Sequence, residues 1–160
     1  MEEGVRGEAV MEETGNAVSV FQAFCNEALR LKEMDPGMYS PLALAYIGDA
    51  AYELIVRTMV INHGSIQVNK MHKKSASLVN AGTQAEMIRL IMEELTEEET
   101  AVYKRGRNAK SVTTAKHATV VDYRTATGFE ALCGYLYLTG RLERLVSLIS
   151  HGFEKIGELE

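Results

Sequence analysis

The run LALAYIGDAAYELIVRTMVI, Leu42 to Ile61, constrains the fold more than any other part of the chain. Wound at 3.6 residues per turn, it is apolar all round except along one line. On that line Asp49, Glu53 and Arg57 recur every four residues. A helix so apolar needs a core on most of its sides, while the three charges argue against a membrane span. Ser40-Pro41 supplies an N-cap and a first helical residue, and Asn62-His63-Gly64 ends the helix. No segment alternates apolar and polar residues strictly enough for a strand. With 160 residues, 46% of them hydrophobic, the expectation is an all-α chain of about seven helices around one core.

Residues 1–16 read as an acidic leader, 17–152 as the single domain and 153–160 as a tail. Asn16 to Met34 reads as an amphipathic helix with Val18, Phe21, Phe24, Cys25, Ala28, Leu29 and Leu31 toward the core, stopped by Pro36, Gly37 and Pro41. Further helices are expected over about 67–80 and 82–95. Another starts at Thr96, whose capping-box partner is Glu99, and reaches about Gly106. Residues 106–121 are polar and small and read as a loop or a loosely helical stretch. Helices over about 123–138 and from Leu142 onward complete the chain. Cys25 and Cys133 read as buried, reduced thiols, and the acidic N-terminus speaks against a transit peptide, so the cytoplasm is the expected location.

The net charge of −5 speaks against a polyanionic partner only until its distribution is considered. Acids concentrate in residues 1–14 and in Glu93, Glu94, Glu97, Glu98 and Glu99. Between Ala101 and Val121 stand Lys104, Arg105, Arg107, Lys110 and Lys116 with no acid, and Lys70 to Lys74 form a second basic knot. Local potential, not the total, governs binding.

Two carboxylates stand where an apolar helix has no use for them. Asp49 follows Gly48. Glu130 is the one charged residue between Arg124 and Arg141, with Gly128 and Gly134 near it. Buried acids need a partner or a cation. Each glycine costs helix propensity, on the order of 1 kcal/mol against alanine, and is explained if something approaches the backbone there. If the two helices pack, the two acids share a site, and a hard divalent cation, Mg²⁺, relieves their repulsion. Beside basic segments, that points to phosphodiester hydrolysis. Glu53 and Arg57 read as an ion pair on a solvated edge. His63, His72, His117 and His151 are scattered without zinc spacing, and no nucleophile elbow, dinucleotide fingerprint or phosphate loop is present.

LAYIGDAAYEL resembles the signature helix of the ribonuclease III catalytic domain, and FEALCGYLYL its second acidic helix. MHKKSASLVNAGTQAEMI and KRGRNAKS between them resemble the small branch of that family, Mini-ribonuclease III. The resemblance runs from about Ser40 to Ile149. It implies the ribonuclease III endonuclease fold, a homodimer and a Mg²⁺-dependent endoribonuclease that cuts double-stranded RNA, leaving a 5′-phosphate and a 3′-hydroxyl. The implied substrate is the precursor of the large-subunit (23S) ribosomal RNA, with a ribosomal protein as a candidate helper. Asp49 matches the catalytic aspartate and Glu130 the catalytic, metal-binding glutamate. Ala45 replaces the glutamate that ordinary ribonuclease III carries four residues before the aspartate, and Thr127 replaces an aspartate three residues before the glutamate. A double-stranded-RNA-binding domain is not expected after Ile149, so RNA affinity falls to the catalytic domain.

Lys73, Lys74, Arg105, Arg107 and Lys110 are the candidate backbone contacts, since duplex RNA is read largely by shape and phosphate position. The alternative is a non-catalytic RNA-binding or ribosome-assembly module on the same fold, and a plain helical interaction domain is a third reading. Retention of both acids favours the enzyme.

Overall fold

The computed structural model describes residues 20–64, 67–110 and 119–159. The acidic leader, and Lys116 and His117 of the expected loop, lie outside the described residues. By contacts the chain divides into two compact units, residues 1–38 and 39–160. In the first, residues 20–28 form helix α1. Arg30 takes a left-handed backbone, φ 52°, and the Leu31 N–H donates to the Asn26 carbonyl, which ends the helix well short of the expected Met34. Phe21, Phe24, Leu29 and Leu31 are exposed rather than turned to a core, and Cys25 is half-buried.

The regular elements of the second unit's described residues are all helical: α2 (Pro41–His63), α3 (Val68–Val79), α4 (Ala81–Ile91), α5 (Glu97–Asn108), α6 (Val120–Leu138) and α7 (Leu142–Lys155). With α1 this makes seven α-helices among the described residues. The starts follow local chemistry. Ser40 Oγ accepts from the Ala43 N–H with Pro41 at the first position. Asn80 caps α4 through the Thr83 N–H, and Thr119 caps α6 through the Asp122 N–H. Thr96 and Glu99 close a reciprocal capping box on α5, where Glu97, Glu98 and Glu99 also meet the positive end of the helix dipole. After Ile91 the chain tightens into a short 3₁₀ turn, Met92–Glu94, where the sequence suggested continuing α-helix.

Helix α6 is the central element. Ten of its residues are buried, including Phe129, Leu132, Cys133 and Leu136, and α2, α4 and α5 pack around it. Under it Tyr52 meets the Phe129 ring edge-on at 5.4 Å, and Met87, Ile88, Ile91, Leu148 and Phe153 fill the core. Helix α7 runs past residue 152 to Lys155, and Leu159 beyond it packs on the core. No described helix is long and apolar enough to cross a membrane.

The expectation that α2 is buried nearly all round needs correction. Tyr46 is 83% exposed, Leu54 69% and Ile61 67%, with Leu42 and Ala50 also open. Leu42, Tyr46, Ala50 and Leu54 follow at four-residue steps, so this is one apolar stripe on the surface of the chain.

Candidate active site

The crossing of α2 and α6 is made by glycines. A methyl group on Gly48 would lie 1.7 Å from the Glu130 carbonyl oxygen and 2.6 Å from the Gly134 nitrogen, and one on Gly134 would lie 1.9 Å from the Leu44 carbonyl oxygen. Only hydrogen fits at either place, so each backbone rests directly on the other. On the other side of α6, Gly106 of α5 rests against Thr127, Gly128 and Ala131, and Gly128 against Tyr103. Helix α6 is therefore held at near-backbone contact on two sides, and Glu130 lies between these contacts. Gly48, Gly128 and Gly134 stood out in the sequence beside the acids, whereas Gly106 read only as a helix end, although α5 runs on to Asn108.

This packing brings Asp49 and Glu130 together, 81 residues apart in sequence but within hydrogen-bonding reach in the fold. Asp49 is exposed and Glu130 half-buried. Burial, then the charge of the neighbouring Asp49, push Glu130 from an ordinary 4.5 up to about 8. Its floor is apolar: Tyr52 and Cys133 both lie close enough to feel its charge, and burial drives their own acidities down, raising each pKa above its ordinary value.

Two adjacent carboxylates, one open to solvent and one held in a low-dielectric floor, are strained as bare like charges. Their oxygens suit a hard divalent cation that keeps most of its water, which is the habit of Mg²⁺. Among the described residues no cluster of three or more His, Cys, Asp or Glu side chains stands ready as a metal cage. The positions where ordinary ribonuclease III has further acids are spent on packing. Ala45 is buried, and the Thr127 hydroxyl donates to the Tyr123 carbonyl at 2.9 Å, inside its own helix.

The basic candidates separate into groups. Arg105 and Arg107 flank Gly106, the residue through which α5 rests on α6, with the Arg107 guanidinium 5.6 Å from the centre of the Tyr103 ring. Lys110, exposed, follows just beyond the end of α5. Lys73 and Lys74 ride on α3, which packs on α2 and α4. Lys73 is exposed, whereas the Lys74 ammonium is ion-paired with Glu158. Arg57 donates from Nε and Nη2 to Glu53 Oε1 at 3.2 and 2.8 Å, the ion pair expected on the polar line of α2.

Sequence reasoning passed over Tyr52. Its hydroxyl donates to the Leu78 carbonyl at 2.6 Å, joining α2 one turn after Asp49 to the last turn of α3. Its aromatic character was visible, but nothing local marks a tyrosine whose partner lies 26 residues away.

Residues 42–141 match the model of the ribonuclease III domain. The chain is 47% identical over 119 residues to Mini-ribonuclease 3 of Brevibacillus brevis, covering 74% of this chain and 89% of that protein. It is 50% identical to Mini-ribonuclease 3 of Enterococcus faecalis, over 73% of this chain and 90% of that one. For the Streptococcus pneumoniae protein of the same name the figures are 46%, 77% and 98%. A crystal structure of a Fusobacterium nucleatum protein superposes with a TM-score of 0.68 at 34% identity, covering 76% of this chain and 96% of that one. From these likenesses, and the helical fold that carries them, the chain belongs to the ribonuclease III family of endoribonucleases, in its Mini-ribonuclease 3 branch.

Proposed function

We propose that this chain is a Mg²⁺-dependent endoribonuclease that cuts double-stranded RNA as a homodimer in the cytoplasm, with the ends of the 23S ribosomal RNA precursor as its substrate. One observation carries the reading: Asp49 and Glu130 stand side by side at the glycine crossing, with Arg105 and Arg107 on the helix packed against the same turns of α6. Asp49 and Glu130 would hold the cation, which when bound lowers the pKa of a coordinated water and stabilises charge on a phosphate. The rest falls to the chain. The glycine contacts fix the spacing of the two carboxylates, and the apolar floor formed by Tyr52, Phe129 and Cys133 keeps water from beneath Glu130. Arg105, Arg107, Lys110 and Lys73 would seat phosphates of the duplex. Lys74 serves there only if it leaves Glu158.

The exposed stripe Leu42, Tyr46, Ala50 and Leu54 supports the homodimer. It lies one residue round α2 from the line of Asp49 and Glu53, so a two-fold pairing through it buries apolar surface and, with the two α2 helices antiparallel, sets both acid pairs on one side of the assembly. A staggered cut in both strands of one duplex follows from such an arrangement.

The test is cleavage of a labelled duplex RNA with Mg²⁺ and with chelator, for the native chain and for Asp49→Asn. Shortened products are expected only from the native chain with Mg²⁺, while Asp49→Asn keeps duplex binding. Near-normal cutting by Asp49→Asn removes the site assignment. Binding without cutting by the native chain turns the reading toward a non-catalytic RNA module.

A further inference from the structure

The polar line on α2 does not stop at the acid pair. Asp49, Glu53 and Arg57 follow at four-residue steps, so Arg57 lies two turns, roughly 12 Å, along the same line from Asp49. Helix α3 crosses this end of α2 and offers two flanks. On one, His72, Ser75 and Val68 enclose a small cavity with Arg57 and Ile61. On the other, Lys70 and Lys74 enclose a second cavity with His63 and Glu158. Met71 and Val60 line both cavities and mark the contact between them. The flank of α3 that meets the line of Asp49 is therefore the one bearing His72, while Lys74 points to the opposite flank and is occupied by a carboxylate.

We infer that Arg57 is a phosphate-binding residue of the RNA track, gripping the backbone of the duplex near the phosphate being cut, with His72 next along the same track. This rests on the reading of Asp49 and Glu130 as the cutting site. Without Arg57 the line would present only two carboxylates, Asp49 and Glu53, to a polyanion. Arg57 is the first cation along it, and its side chain is 57% exposed. Glu53 takes hydrogen bonds from Nε and Nη2 through a single oxygen, which holds the guanidinium in place and leaves Nη1 undirected. A guanidinium fork suits a phosphate oxygen in that position. An ordinary i, i+4 pair on a helix surface would contribute little to stability and would have no bearing on RNA.

The experiment compares the native chain, Arg57→Gln, Arg57→Lys and Glu53→Gln on a short RNA duplex, reading kcat, KM and the slope of log KM against log salt. Contact to a phosphate outside the reacting bond acts on bound substrate and transition state alike. Arg57→Gln should therefore raise KM about tenfold, from the loss of one charge-assisted hydrogen bond, and leave kcat nearly unchanged. It should also lessen the salt slope by roughly 0.7–1, one released counterion, whereas Arg57→Lys and Glu53→Gln keep it. If Arg57→Gln keeps both the native KM and the native slope while the native chain cuts the duplex, Arg57 is a helix-surface ion pair and the inference is overturned, with the cutting site untouched. If the native chain does not cut, the site reading fails and this inference with it.

Discussion

Gly48→Ala adds one methyl group at the tightest point of the molecule. That carbon would stand 1.7 Å from the Glu130 carbonyl oxygen and 2.6 Å from the Gly134 nitrogen, where ordinary contact begins at 3.4 Å. Both obstacles are backbone atoms of α6, so no rotamer change can make room. The two helices must separate by roughly 1.7 Å or the methyl must force a bend. Overpacking of this kind costs about 1–3 kcal/mol and more when the neighbour is rigid, against about 1 kcal/mol gained in helix propensity. The net loss, up to about 2 kcal/mol from that range, lowers the melting temperature of a chain this size by up to roughly 4–8 °C. The larger effect is on function. The contact sets the distance between the carboxylates of Asp49 and Glu130, and a displacement near 1 Å at reacting groups costs about a hundredfold in rate. The assay is thermal unfolding by circular dichroism together with duplex cleavage well below the midpoint, with RNA binding followed by fluorescence anisotropy. Cleavage should fall at least a hundredfold with binding largely kept. A variant that melts within a degree of the native chain and cuts at its rate would refute the claim that this crossing holds the site.

Other outcomes follow from single contacts. Tyr52→Phe removes the donor to the Leu78 carbonyl, one of the last carbonyls of α3, and leaves that oxygen buried without a partner; urea unfolding should show a loss of about 1–3 kcal/mol. With a chelator present, Glu130 titrates near 8 when folded and near 4.5 when unfolded, so between those values the unfolded chain binds fewer protons and stability falls as pH rises. Asp49→Asn removes the second cause of the shift but not burial, so the fall between pH 5 and 8 should be shallower and the variant more stable than the native chain at pH 8, as read by melting temperature. An unchanged pH profile would show that the two carboxylates do not interact.

How much of this was legible in the sequence depended on how local the physics was. The capping box at Thr96 and Glu99 and the Ser40-Pro41 start are complete within four residues, and both formed as read. The Asp49–Glu130 pair was legible although long-range, because each acid breaks an otherwise apolar helix and sits near a glycine whose absent side chain makes room for the other helix. Periodicity says which residues share a face but not what covers it. The stripe Leu42, Tyr46, Ala50 and Leu54 therefore read as core, although this chain leaves it open. The same ambiguity hid which flank of α3 faces Arg57 and the pairing of Lys74 with Glu158, 84 residues away. Helix α1 stopped early because Arg30 adopts a left-handed backbone, for which arginine gives no local signal.

The arrangement also explains why the acids stand over a core and not on a loop. A carboxylate pair set on flexible chain would swing apart and relieve its repulsion by distance. On α2 and α6 it cannot, because Gly48 and Gly134 lock the backbones and the Tyr52–Phe129 contact fills the space beneath. The repulsion stays in the folded state, held there by the hydrophobic packing of α6, and shows as the raised pKa of Glu130; a proton relieves it below about 8, and a divalent cation would relieve both charges at once. Stability and activity then oppose each other at residue 49: the substitution that removes the charge should firm the metal-free fold and end the cutting. Were Asp49→Asn to lose activity and stability together, the aspartate would be a structural residue, and the rigid crossing would have some purpose other than holding two like charges in reach of one ion.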